Sequence, residues 1–138
     1  MRRSIVCLMI IAVLAGCSSS TTPQSRAVVL TPAKTVYLSG EIVSAQLSNR
    51  SSENIGYGAC ALRAERRNGS QWEIAGPINV FCTMQMIVLD ANGERTLQLQ
   101  LDPHWAPGEY RLRFSYSPGT TGPEQIVYSR SFGLGFSF

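Results

Sequence analysis

The chain reads as one all-β domain, a sandwich of about seven short antiparallel strands. Polar and apolar residues alternate with a period of two in Ile42–Asn49, Thr96–Leu101 and Tyr110–Tyr116. Turn-forming residues recur at intervals of roughly ten. No stretch beyond the first sixteen residues carries a helical period. Short strands punctuated in this way pack as two sheets around a shared core.

The N-terminal segment has a different character. Met1-Arg2-Arg3-Ser4 is short and basic, and Ile5 to Leu14 is an apolar run. A spanning helix needs ~20 apolar residues, so a run of about ten fits a signal peptide instead. Arg2-Arg3 is read as an ordinary basic leader. Leu14-Ala15-Gly16-Cys17 follows, and it resembles the lipobox of bacterial lipoproteins; the alternative is a secretory leader with an unmodified cysteine nearby. The resemblance implies cleavage between Gly16 and Cys17, a diacylglyceryl thioether on Cys17 and often an acyl group, such as palmitate, on the new amine. Two or more chains give stable membrane anchoring. Ser18 stands where the family places Asp for inner-membrane retention, so an outer membrane is favoured in a two-membrane cell envelope.

The expected organisation is therefore a signal peptide over 1–16, a lipidated cysteine and tether over 17–26, and a β-domain over 27–138. Ser18 to Arg26 is small and polar, as flexible tethers are, and nine extended residues reach at most ~30 Å. Without the leader, ten basic residues face nine acidic ones. That balance indicates no nucleic-acid surface, and Arg66-Arg67 is too short to form one. Arg63, Arg111 and Arg113 read as solvent-facing strand positions.

Of the four cysteines, Cys7 lies in the leader and Cys17 in the lipobox. In the exported compartment that the lipobox implies, Cys60 and Cys82 are expected to pair. Closing a loop of about twenty residues stabilises by ~3 kcal/mol in the chain-entropy model. The alternative is two separately buried thiols. Neither CxxC nor HxxxH spacing is present, so no metal site is expected.

Val28–Leu30 and Thr35–Leu38 read as an edge strand broken by Pro32. Ser39-Gly40 is a turn, and Ile42–Asn49 follows with Val43, Ala45 and Leu47 inward. A hairpin surrounds Asn68-Gly69. A three-residue loop, Arg67 to Gly69, would pair Ala64 with Trp72, Leu62 with Ile74 and Arg63 with Glu73. Each pair is then matched in polarity, and Cys60 shares the inward face of Leu62, where a disulfide would span the core. Met84 and Met86 read as core filler. Leu97, Leu99 and Leu101 face inward, as do Tyr110, Leu112, Phe114 and Tyr116. Ile126–Phe132 forms the last strand.

Several runs are similar to bacterial immunoglobulin-like domains of exported proteins. They are Tyr37-x-x-Gly40-Glu41-x-Val43…Leu47-x-Asn49-x-Ser51, Cys60…Glu65-Arg66…Trp72, Pro107-Gly108-x-Tyr110-Arg111 and Tyr128-Ser129-x-x-Phe132. Gly108 and Tyr110 also resemble a tyrosine corner, with Leu112 in place of the antibody cysteine. The resemblance implies an immunoglobulin-like sandwich and carries no catalytic residues or cofactor.

A membrane-anchored, non-catalytic binding or structural module is the expected function, with a protein or glycan partner met through the loops Asn49–Tyr57 and Ser117–Glu124. A hydrolase built on His104 and Asp102 is a weaker reading, because no nucleophile is placed against the ring. A third reading rests on Phe132, Leu134, Phe136 and Phe138, whose shared parity resembles the final strand of an outer-membrane barrel.

Overall fold

The computed structural model describes residues 27–77 and 81–135. The segments expected to be a signal peptide and tether, together with Cys17, Phe136 and Phe138, lie outside the described residues. Among the described residues there are eleven strands: β1 (Val28–Pro32), β2 (Val36–Leu38), β3 (Ile42–Asn49), β4 (Ile55–Gly58), β5 (Leu62–Asn68), β6 (Gln71–Ile74), β7 (Met86–Leu89), β8 (Glu94–Gln100), β9 (Gly108–Pro118), β10 (Gln125–Tyr128) and β11 (Phe132–Gly135). They form a three-stranded sheet, β1-β3-β8, and an eight-stranded sheet ordered β2-β11-β9-β4-β7, with β10 and β5 also on β9 and β6 on β5. This is an immunoglobulin-like β-sandwich.

The strand count exceeds seven because several strands are broken without losing their place. Pro32 ends β1, which pairs with β3, and the chain crosses to the other sheet, where β2 lies parallel to β11. Along one side of β9 run β10 and β11, in registers that differ by one residue. The bulge between them centres on Ser129. Its hydroxyl accepts the Leu112 N–H at 2.9 Å, while its own N–H donates to the Leu112 carbonyl at 2.9 Å. Along the other side run β4 and β5, interrupted by a turn at Gly58–Ala61.

The core follows the expected alternation. Val43, Ala45 and Leu47 of β3 are buried, as are Tyr110, Leu112, Phe114 and Tyr116 of β9. Phe132 and Leu134 are also buried against this core. Those two side chains therefore do not face outward as a barrel strand would require. Tyr37 meets Phe132 edge-on at 5.2 Å, and Tyr57 meets Phe114 at 5.0 Å.

Two short motifs acquire physical roles. Gly40 sits at φ +80 in the third position of a turn closed by the Glu41 N–H on the Leu38 carbonyl, the backbone that favours glycine there. The Glu41 carboxylate in turn accepts the Leu38 N–H at 2.9 Å and the Lys34 ammonium. The side chain of Asn49 is fully buried. Its Nδ2 donates to the carbonyls of Glu53 and Asp90 at 2.8 and 2.9 Å, and its Oδ1 accepts from the Ser51 N–H and hydroxyl. One amide thus pins the β3–β4 loop to the β7–β8 turn.

Three sequence expectations are corrected. The hairpin pairs Arg67 with Trp72 and Glu65 with Ile74, around a Gly69-Ser70 turn with Gly69 at φ +60. The Ala64–Trp72 register assumed that β6 covers the core. In fact β6 lies beyond β5 at the sheet margin, where polarity matching has little force and the positive-φ glycine sets the turn. Trp72 consequently faces outward. Cys60 and Cys82 do form the disulfide, with Cα atoms 5.8 Å apart, but Cys60 is only half-buried and Cys82 is exposed. The bond staples the segment after β6 to the β4–β5 turn and does not cross the core. Met84 and Met86 are exposed rather than core filler, because the inward side chains of β3, β8 and β9 already occupy the intersheet space. Met86 instead covers Gly56, whose missing Cβ would stand 2.9 Å from its sulfur.

Asn49→Asp keeps the shape but presents a carboxylate oxygen to two carbonyls. It should lower unfolding free energy by about 2–4 kcal/mol in urea titrations at neutral pH. The Lys34 ammonium, then the Leu38 N–H, hold the Glu41 carboxyl below its ordinary value. Its stabilisation is therefore present above the unfolded value and lost as pH falls through the folded one. Melting curves of Glu41→Gln and the unaltered chain should converge at acid pH and separate above the carboxylate range.

Candidate functional site

The outward face of the larger sheet carries the densest side-chain chemistry among the described residues. Alternation on β9 sends Tyr110 and Leu112 inward, so Arg111 and Arg113 point outward. The register places Glu65 of β5 opposite Arg111, and Arg63 opposite Arg113. The Glu65 carboxylate is buried and lies 2.7 Å from both Nε and Nη2 of Arg111. The Arg111 guanidinium lies 4.4 Å from the Trp72 ring and 3.8 Å from the Tyr128 ring. Four strands, β6, β5, β9 and β10, thus contribute to one stack. Each cation–π contact contributes roughly 0.5–2 kcal/mol, most when water is excluded.

Arg111 and Arg113 do point outward as expected, yet their side chains are only 21% and 22% exposed. Arg63 is half-buried and donates to the Pro77 carbonyl. Glu65, Trp72 and Tyr128 were not recognisable as a group from sequence. Their association depends on β5 lying against β9, a pairing that joins residues 46 positions apart.

The two loops singled out from sequence lie together at one end of the sandwich. Ile55–Tyr57 of the first belongs to β4, leaving residues 50–54 as loop. The second contributes the Gly119 N–H, which donates to the Asn54 carbonyl at 2.8 Å. Thr120 holds φ +66, an uncommon conformation for a β-branched residue.

Near the other end the tyrosine corner is present. The Tyr110 hydroxyl donates to the Ala106 carbonyl at 2.6 Å, and its ring stacks on Trp105 at 5.7 Å. Burial raises the Tyr110 hydroxyl pKa. Gly108 opens β9, with Arg66 Nε 3.4 Å from where a Cβ would lie. His104 Nδ1 is 3.0 Å from Asp102 Oδ1, and the imidazole is 92% exposed. The His104 backbone N–H, then its ring, hold the Asp102 carboxyl below its ordinary value. The two line an open groove with Pro77, Gln100, Pro103 and Trp105. Among the described residues, no cluster of three or more His, Cys, Asp or Glu could hold a metal ion. This arrangement forms a turn whose carboxylate and imidazole are open to solvent.

Replacing Arg111 with Leu leaves the buried Glu65 carboxylate with Arg113 3.9 Å away in place of a cation at 2.7 Å, and should cost about 3 kcal/mol in urea unfolding. Arg111→Lys keeps the charge but loses the planar stack, and should cost less, about 1–2 kcal/mol.

No family model and no curated protein matches the chain. Among solved structures it is similar to Spo0M, a sporulation control protein from Bacillus subtilis, with 12% identity and a TM-score of 0.51 over 80% of this chain. The match spans 49% of Spo0M, about half its length. A neutral ceramidase from Pseudomonas aeruginosa matches at 12% identity and TM-score 0.45, over 81% of this chain and 19% of that one. The ASH/PapD-like domain 7 of human CEP192 matches at 12% identity and TM-score 0.44, over 94% and 98%. At such identity the Spo0M likeness speaks for the fold alone.

Proposed function

We propose that the protein is a lipid-anchored lipoprotein of the bacterial cell envelope whose immunoglobulin-like domain binds a partner or serves as a structural element without catalysis. The observation that carries this reading is the pairing of Cys60 with Cys82 in a chain that also holds Leu14-Ala15-Gly16-Cys17. A half-exposed disulfide persists in an oxidising compartment, and the lipobox-like tetrapeptide supplies the route there. The domain begins at β1, about ten residues after Cys17, so it would sit close to the bilayer. The outer membrane is the favoured location if the cell has two.

The binding role is supported by the outward face of Arg63, Glu65, Trp72, Arg111, Arg113 and Tyr128. Arginine and aromatic side chains dominate the energetics of protein interfaces. The His104–Asp102 pair lies exposed in an open groove, and no catalytic role is proposed for it.

Mass spectrometry of the membrane-extracted protein tests the reading. The expected mature chain begins at a Cys17 carrying diacylglyceryl and acyl mass, and gains two hydrogens on reduction. A chain starting elsewhere without lipid mass would overturn it. Cys17→Ser should release the protein from membranes while leaving the domain folded.

A further inference from the structure

We infer that the open margin between the two sheets binds a long-chain fatty acid, its carboxylate at Arg95 and Tyr57 and its chain running past Leu97 and Leu99 towards Trp105; this rests on the binding-module reading above. Val43, Ala45 and Leu47 of β3 are sealed in the core, and the register sets Leu99, Leu97 and Arg95 of β8 opposite them on the same inward face. β8 is the outermost strand of its sheet, so these side chains meet the other sheet only at its margin. The residues that face them from the β4–β5 turn and the start of β5 are mostly small: Ala59, Ala61 and Ala64. Leu97 and Leu99 therefore stay half-buried beside a core that is otherwise filled. A cavity of about 170 Å³ at Leu97 adjoins one of about 260 Å³ at Leu99, and Ala59 and Leu62 line both. Trp105 stands where the second cavity meets the open groove beside His104.

The chemistry changes along this margin. Arg95 shares the inward parity of the leucines yet is exposed at one end, where its Nη1 donates to the Tyr57 hydroxyl at 3.1 Å. Among the described residues Arg95 forms no ion pair, and the Tyr57 hydroxyl donates to no acceptor. The guanidinium fork and the phenol proton can together hold one carboxylate. From Arg95 to Leu99 the strand covers ~13 Å, and its inward side chains beyond Arg95 are both leucines. An unbranched hydrocarbon has no polar group to satisfy along such a wall. A peptide would bring an N–H and a C=O at every residue. One cation at the end of an apolar wall therefore matches a single-chain carboxylate, and each methylene it removes from water adds to the affinity.

Photo-crosslinking of the full chain in phosphatidylcholine vesicles tests this. The probe is a palmitic acid analogue with a diazirine at mid-chain, and labelled residues are located by mass spectrometry of peptides. Label should fall within 59–64 and 97–105. Unlabelled palmitic acid should compete, and hexadecanol, with the same chain and no carboxylate, should not. Arg95→Gln should lower labelling about tenfold with the melting temperature unchanged, because the residue is exposed. Ala59→Trp, which sets an indole where the two cavities join, should abolish it. A purely structural Arg95–Tyr57 bond predicts the reverse for Arg95→Gln, a lower melting temperature with labelling unchanged. That result, equal competition by hexadecanol, or no label in the groove overturns the proposal. If Ala59→Trp fails to fold, Arg95→Gln and the competition decide. Phe81 and Met84 are fully exposed apolar side chains outside the groove. Label confined to 81–86 would sink the groove and leave the binding-module reading standing, whose own test is the mass of the mature chain.

Discussion

The register of β9 is the constraint on which the rest depends. Its eleven residues pair with β4 and β5 on one side and with β10 and β11 on the other. Tyr110, Leu112, Phe114 and Tyr116 fill the core from this single strand. A slip of one residue would exchange that set for Arg111, Arg113 and Ser115. Placing two arginines between apolar sheets would cost far more than any sandwich of this size could offset. The interruptions fall on the neighbours: the turn between β4 and β5 and the bulge at Ser129 adjust their registers while β9 runs through unbroken.

The same alternation creates the second layer of chemistry. Because the inward residues are apolar, the outward ones are free to be charged, and Arg111 stacks between Trp72 and Tyr128 above a buried Glu65. This stack joins β6 and β10 to the central strand across the solvent side, where the core gives them little. Burial of Glu65 makes the arrangement sensitive to loss of its cation, since an uncompensated carboxylate cannot recover its hydration. At the ends of the sandwich other devices act. Asn49 ties two loops through a single amide, and the Cys60–Cys82 bond holds the segment that leaves β6.

Most of the inner architecture was legible in sequence, and the outer face was not. Period-two runs identified the core residues of β3, β8 and β9, and Pro107-Gly108-x-Tyr110 identified the tyrosine corner, because those features are local. The hairpin register failed because Trp72 was matched in polarity with Ala64, whereas it faces outward under the Arg111 guanidinium, about forty residues away in sequence. The methionines failed for a related reason: apolar composition near 84–86 does not reveal that the intersheet space is already full. The disulfide was anticipated as a pair but misplaced in depth, since depth depends on the β4–β5 turn and not on spacing. Arg63 and Arg113 could be read as outward, while their adjacency required the β5–β9 register.

If β9 is the shared strand, its amides are protected by hydrogen bonds on both sides and by a core that cannot open without it. Native-state hydrogen exchange measures this directly. The amides of residues 110–117 should exchange only through global unfolding, with β6 and β7 opening earlier at the margins. Exchange of β9 through a partial opening, while β1-β3-β8 stays protected, would contradict the account.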